Sequence, residues 1–211
     1  MIQDRPLLVD NLTLEAKEML DLNRDDNREE HEVNVVLTRS NEWIGRTIQK
    51  VTGEAYSHVS IGLDRSLDKM YSYDMAVGFT KEDLYSDDFN GLAYTLYKVK
   101  ITKKMHDELK NRLNDLYQNR SRTKYNYRGL LNAFFKKDIA GNRHKEKMFC
   151  SEFVVTTLRE AGVDILKQRS ASTISPTEIV KTKFLRHVRR GRLPVSPSKN
   201  WYSGIPLEDK K

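Results

Sequence analysis

Met148-Phe149-Cys150-Ser151-Glu152-Phe153 holds the only cysteine of the 211-residue chain, and its setting decides how the rest is read. Downstream, Phe153, Val154, Thr157, Leu158 and Ala161 recur at the spacing of one apolar helix face. Gly162 follows, where a left-handed residue closes such a helix. Cys150 therefore falls in the helix's first turn. Unpaired N–H groups and the positive end of the helix dipole gather there, and both favour the thiolate, the reactive form of cysteine. Taken alone, a single cysteine is equally compatible with a small buried hydrophobe. A second residue supplies the contrast: His58 opens the strand-like run His58-Val59-Ser60-Ile61-Gly62-Leu63. A strand-borne histidine facing a helix-borne cysteine is the pairing that activates a thiol at neutral pH.

Ala55-Tyr56-Ser57-His58-Val59-Ser60-Ile61-Gly62-Leu63-Asp64 resembles the histidine strand of the circularly permuted papain-like amidases and peptidases. That superfamily includes the NlpC-type cell-wall peptidases and lecithin retinol acyltransferase. Phe149-Cys150-Ser151-Glu152-Phe153-Val154 resembles their cysteine helix, and Ser175-Pro176-Thr177-Glu178 the segment that follows it. Val33-Asn34-Val35-Val36-Leu37-Thr38 resembles their first core strand. Histidine strand before cysteine helix is the permuted order. The resemblance spans residues 33–193 and implies a papain-like core in permuted order, with helices on a small, mainly antiparallel curved sheet. It also implies a third polar residue that orients the imidazole from the strand after the histidine strand.

Here the chain departs from the pattern. Folding 58–63 back on 70–74 predicts a hairpin with His58 opposite Ser72, and Ser72 shares a face with Asp74. Serine accepts a hydrogen bond from an imidazole but leaves an imidazolium unbalanced. Asp74 becomes the orienter instead if the strand shifts by two residues. The expected site is Cys150 as nucleophile, His58 as base and Ser72, or alternatively Asp74, as orienter. The backbone N–H of Cys150 and the phenol of Tyr56 are the candidate oxyanion donors.

The activity these residues imply is a thiol hydrolase or acyltransferase acting on an amide, ester or thioester, with a small-molecule, peptide or lipid acyl substrate and no cofactor. The alternative is a non-catalytic binding module on the same fold that holds nucleic acid or an anionic membrane. Its best support is the weak third residue, beside a net charge of +7. Much of that excess falls at Lys181, Lys183, Arg186, Arg189, Arg190 and Arg192. Interleaved with Leu185, Val188 and Leu193, these cations read more simply as a charged edge strand guarding against sheet-to-sheet pairing. The basic, tyrosine-bearing run 119–128 allows base stacking, but also reads as a loop at the rim of a cleft.

With 38% hydrophobic and 32% charged residues, the composition is that of a solvated globular domain. No run approaches the about eighteen apolar residues that span a bilayer. The N-terminus lacks a basic, then apolar, secretion signal. A lone cysteine forms no internal disulfide, so a cytoplasmic, reducing setting is expected. No metal-ligand spacing and no glycine-rich phosphate loop is present.

Along the chain, residues 1–31 read as an appendage: a helix after Asn11 or Thr13, then a charged linker. The domain proper is expected over 32–193, with 194–211 as a tail. A strand is predicted over 33–37 and a helix after Ser40 carrying Trp43, Ile44 and Ile48. A loop through Gly78 leads to a helical turn near 81–85. A strand over 93–101 follows, then a helix capped by Thr102, and a helical stretch at 130–135. Ser175 to Glu178 spells a capping box with proline at the first helical position.

Overall fold

The most continuously apolar strand lies in the middle of the sheet. The computed structural model describes residues 30–39, 55–127, 147–163 and 165–193. In it β1 (Glu30–Thr38) runs between β2 (His58–Gly62) and β5 (Ala93–Thr102). Val33, Val35 and Leu37 alternate with Val36, and all four are fully buried because both faces of β1 are covered. With β3 (Met70–Asp74), β4 (Gly78–Glu82) and β8 (Leu185–Arg192), the sheet order is β4-β3-β2-β1-β5-β8. Every neighbouring pair in it is antiparallel.

On one side, α1 (Lys103–Gln118) and α2 (Cys150–Glu160) supply Leu109, Leu113, Phe153 and Val154 to a core shared with Val35, Val59, Ile61, Tyr73 and Phe79. A smaller cluster around Val36, Met70, Leu84, Tyr94 and Leu96 forms separately. A short parallel pair, β6 (Lys124–Tyr125) and β7 (Lys147–Met148), leads into α2. The fold is α+β, as expected, with few helices on a mainly antiparallel sheet.

The caps that the sequence spells out are formed. Thr102 accepts a hydrogen bond from the Met105 N–H at 3.3 Å and starts α1. Ser175 and Glu178 form the reciprocal capping box of α3 (Pro176–Ile179). Gly162 closes α2 with φ +92°.

Three elements depart from expectation. β1 begins at Glu30, inside the segment expected as linker, because Glu30 and Glu32 ion-pair with Lys100 and Lys98 on β5. The boundary expected between residues 31 and 32 thus falls within a strand. Residues 78–82, expected as loop and helical turn, form β4. Asp74 Oδ1 accepts the N–H groups of Ala76 (2.7 Å) and Val77 (3.1 Å), and Gly78 takes φ +77°, so the chain reverses tightly after β3. The register of β2 on β3 is the third. Ile61 pairs with Tyr71, and carried back along the strands this sets His58 across from Asp74 rather than Ser72. The connecting loop is centred on Ser66, and that small difference moves the pairing by two residues. The helices expected over 11–22, 40–51 and 130–135, and the tail 194–211, lie outside the described residues.

Candidate active site

Phe149, buried and extended (φ −109°, ψ 169°), precedes α2, and its carbonyl accepts the Phe153 N–H at 2.9 Å. Phe153 packs against Tyr73 and Phe79 of the β3–β4 hairpin, with ring centroids 5.4 Å from each. This aromatic contact holds the start of α2 against the sheet and brings Cys150, itself buried, to the beginning of β2. There it lines the same cleft as His58, near enough to act electrostatically on the imidazole.

The other side of the imidazole is taken by a residue the sequence reading missed. His58 Nε2 lies 2.9 Å and 3.1 Å from the two carboxylate oxygens of Glu82, at the end of β4. Because Nε2 faces the carboxylate, Nδ1 is the ring nitrogen left for the sulfur. Ser60, two residues along β2 from His58 and on the same side, donates its hydroxyl proton to Glu82 Oε2.

Electrostatics follow from this sandwich. Burial by itself lowers the pKa of His58, but the Glu82 charge and the hydrogen bonds to Cys150 and Glu82 outweigh it. The imidazole is held well above its ordinary value of 6.5. Two acidic partners therefore favour an imidazolium between them.

The remaining expected residues sit elsewhere. Ser72 is buried and donates to the Val59 carbonyl at 2.7 Å, tying β3 to β2. Asp74 lines the cleft, but its Oδ1 holds the turn before β4. His58 is paired with Glu82 rather than with either of these. Tyr56 bonds through its hydroxyl to Thr95 Oγ1 on β5, away from the thiol-bearing cleft. Tyr125 of β6 lines that cleft beside Cys150 instead. Burial, and then negative charge at Cys150, push its phenol well above its ordinary pKa, so it stays protonated and able to donate. The signal for Glu82 was present in the chain: Tyr73 and Phe79 flank an Asp74-to-Gly78 turn, the mark of a hairpin.

Cys150 and His58 open onto a cleft of about 500 Å³. Met75, Val77, Phe89 and Tyr125 give it apolar wall, and Asp74, Asp83 and Asp88 give it acidic wall. Val77, at the hairpin tip, is 62% exposed at its mouth. Among the described residues no group of three or more His, Cys, Asp and Glu side chains is arranged to hold a metal ion. Nor is any helix among them long and apolar enough to cross a membrane.

No family model matches the chain, and no curated protein matches it. Among solved structures, it is similar to the metalloprotein YiiX from Escherichia coli O157:H7, described as DUF1105. That match has 13% sequence identity and a TM-score of 0.49, and covers 77% of this chain and 98% of the other.

Proposed function

We propose that this protein is a thiol-dependent hydrolase or acyltransferase built on a permuted papain-like core, acting on an amide, ester or thioester. The observation that carries the reading is His58 held by the Glu82 carboxylate and lining one open cleft with Cys150. A nucleophile, a base and an orienting carboxylate in contact are what acyl transfer requires.

His58 takes the thiol proton, with Glu82 balancing the imidazolium. The Cys150 sulfur bonds to the acyl carbon, and the carbonyl electron pair moves to oxygen near the Cys150 backbone N–H. As the tetrahedral adduct collapses, the bond to the leaving nitrogen, oxygen or sulfur breaks and His58 gives it the proton. Water, or an acceptor alcohol or amine, then loses a proton to His58 and attacks the acyl-thioester. The C–S bond breaks and the thiol is restored. Each step uses this chain's own groups, substrate and acceptor. A working thiol of this kind suits a reducing setting such as the cytoplasm.

The test is covalent capture. The folded chain is treated with a panel of activated amide, ester and thioester probes, and the adduct is located by mass. Acylation at Cys150 is expected, together with iodoacetamide labelling whose pH midpoint lies below the free-thiol value of about 8.5. No adduct from any probe, with alkylation at an ordinary midpoint or none, would move the assignment to a non-catalytic binding module.

A further inference from the structure

Three buried serines near the cysteine helix are satisfied in two different ways. Ser72 donates to the Val59 carbonyl and Ser151 to the Ile174 carbonyl, each at 2.7 Å, as buried hydroxyls in a core ordinarily do. Ser60, fully buried, donates instead to an ionisable side chain, Glu82 Oε2, and its oxygen lies 3.3 Å from His58 Nε2.

Counting protons in this triangle leaves one arrangement that satisfies every contact. Ser60 has one proton, and it goes to Glu82. A carboxylate has none to give, so it accepts from both Ser60 and Nε2–H. The Ser60 oxygen, already donating, meets Nε2 as an acceptor. Glu82 is then ionised, Nε2 carries its hydrogen, and Nδ1 is the nitrogen that exchanges a proton with the thiol. Protonating Glu82 would set two donors or two acceptors against each other within a buried contact.

We infer that Ser60 is a positioning residue: its hydroxyl keeps the Glu82 carboxylate turned toward Nε2, and through it turns Nδ1 of His58 toward Cys150. This rests on the acyl-transfer reading for its purpose, though not for its measurement. The ionisable groups that act on His58 are Glu82 from β4 and Cys150 from α2, and beyond the thiol stands Tyr125, on which Cys150, Tyr127, Asp74 and Glu152 act in turn. Without the hydroxyl, Oε2 loses its donor, the carboxylate is free to turn from Nε2, and the imidazolium loses its close counter-charge.

The experiment is an NMR titration of the full chain with labelled histidine, with the His58 signal assigned by its absence in His58→Gln. Ser60→Ala should lower the His58 midpoint by about one pH unit, and Ser60→Thr, which keeps the hydroxyl, should restore it. In a Glu82→Gln background, Ser60→Ala should add little, since the two act through one contact. If Ser60→Ala does not fold, Ser60→Cys replaces it, keeping volume while leaving only a weak donor. A His58 midpoint unmoved by either variant overturns the inference and leaves Ser60 a packing residue. The titration needs no turnover, so a chain that forms no probe adduct still reports on Ser60. An unmoved midpoint beside normal acylation sinks this inference alone.

Discussion

His58 Nε2 sits 2.9 Å and 3.1 Å from the carboxylate of Glu82, a residue two strands away in the sheet. Glu82 pairs with Met70 at the start of β3, so its side chain reaches diagonally across the sheet to Ser60 and His58 on β2. Glu82→Gln keeps the shape and removes the charge. It should lower kcat/KM on an activated ester tenfold to a hundredfold, about what an orienting partner contributes. Ser72→Ala should leave kcat/KM nearly unchanged and cost about 1 kcal/mol of stability through the lost bond to Val59. Steady-state kinetics beside urea denaturation checks both. A larger kinetic loss in Ser72→Ala than in Glu82→Gln would return the orienting role to β3.

Cys150→Ala should abolish turnover and retain the fold, since it removes one small buried atom. His58→Ala should be nearly as inactive, and the double variant no worse than the single ones, because nucleophile and base act as a unit. Circular dichroism and single-turnover assays of the three variants make the comparison. Residual turnover in Cys150→Ala comparable to the parent would remove the thiol from the reaction.

What the sequence made legible follows from local chemistry. The helix start at Cys150, the strand at His58, the Thr102 cap and the Ser175 capping box each depend on residues close together in the chain, and each formed. Glu82 was hidden because two long-range facts decide it. A two-residue difference in register moved the residue across from His58 from Ser72 to Asp74. The polar run after Gly78 also masked a strand that the Asp74-to-Gly78 turn alone announces and that pairs Tyr73 with Phe79 and Ser72 with Thr80. Side-chain reach was equally invisible. Tyr56 lies two residues from His58 in sequence, yet its hydroxyl is satisfied by Thr95 on β5.

The elevated pKa of His58 has a stability consequence. The folded state binds that proton more tightly than the unfolded state does, so the contribution is complete below the unfolded value of about 6.5. It is lost as pH rises through the higher folded-state pKa. Unfolding free energies of the wild type and His58→Gln, compared in urea from pH 6 upward, should differ most at the acid end and converge toward alkaline pH. A gap that widens with rising pH would mean that His58 is held neutral in the fold.

Gly78 is the residue on which β4, and therefore Glu82, turns. Its φ is +77°, and a Cβ there would lie 2.7 Å from the Thr123 carbonyl oxygen. Gly78→Ala meets both the left-handed penalty of roughly 1–2 kcal/mol and a backbone clash that no side-chain rotation relieves. It should therefore destabilise by more than the conformational penalty alone, measured by the denaturation midpoint. Since Thr123 Oγ1 also accepts the Phe79 N–H at 2.9 Å, the His58–Glu82 contact should loosen with it. A Gly78→Ala variant as stable as the parent would show that the turn relaxes freely and is not what places Glu82.

The geometry of the basic strand β8 argues against a single cationic groove. The β5–β8 register shifts between Leu96 and Tyr97. Arg186 and Arg189 stand opposite Lys98 and Leu96, while His187, Arg190 and Arg192 stand opposite Tyr97, Thr95 and Ala93. Cross-strand partners share a face and neighbours alternate, so the cations divide between two faces. Arg186 is further bound to Glu32 at 2.8 Å, and Arg192 donates to the Gly91 carbonyl at 2.9 Å. Reversing Arg189 and Arg190 to glutamate should leave activity on a small probe unchanged. Wild-type binding to single-stranded nucleic acid should be no tighter than the salt-sensitive background of any basic protein. Fluorescence anisotropy across a salt series decides it. Sub-micromolar affinity at physiological salt, lost in the double reversal, would make β8 a polyanion-binding edge despite the division of its charges.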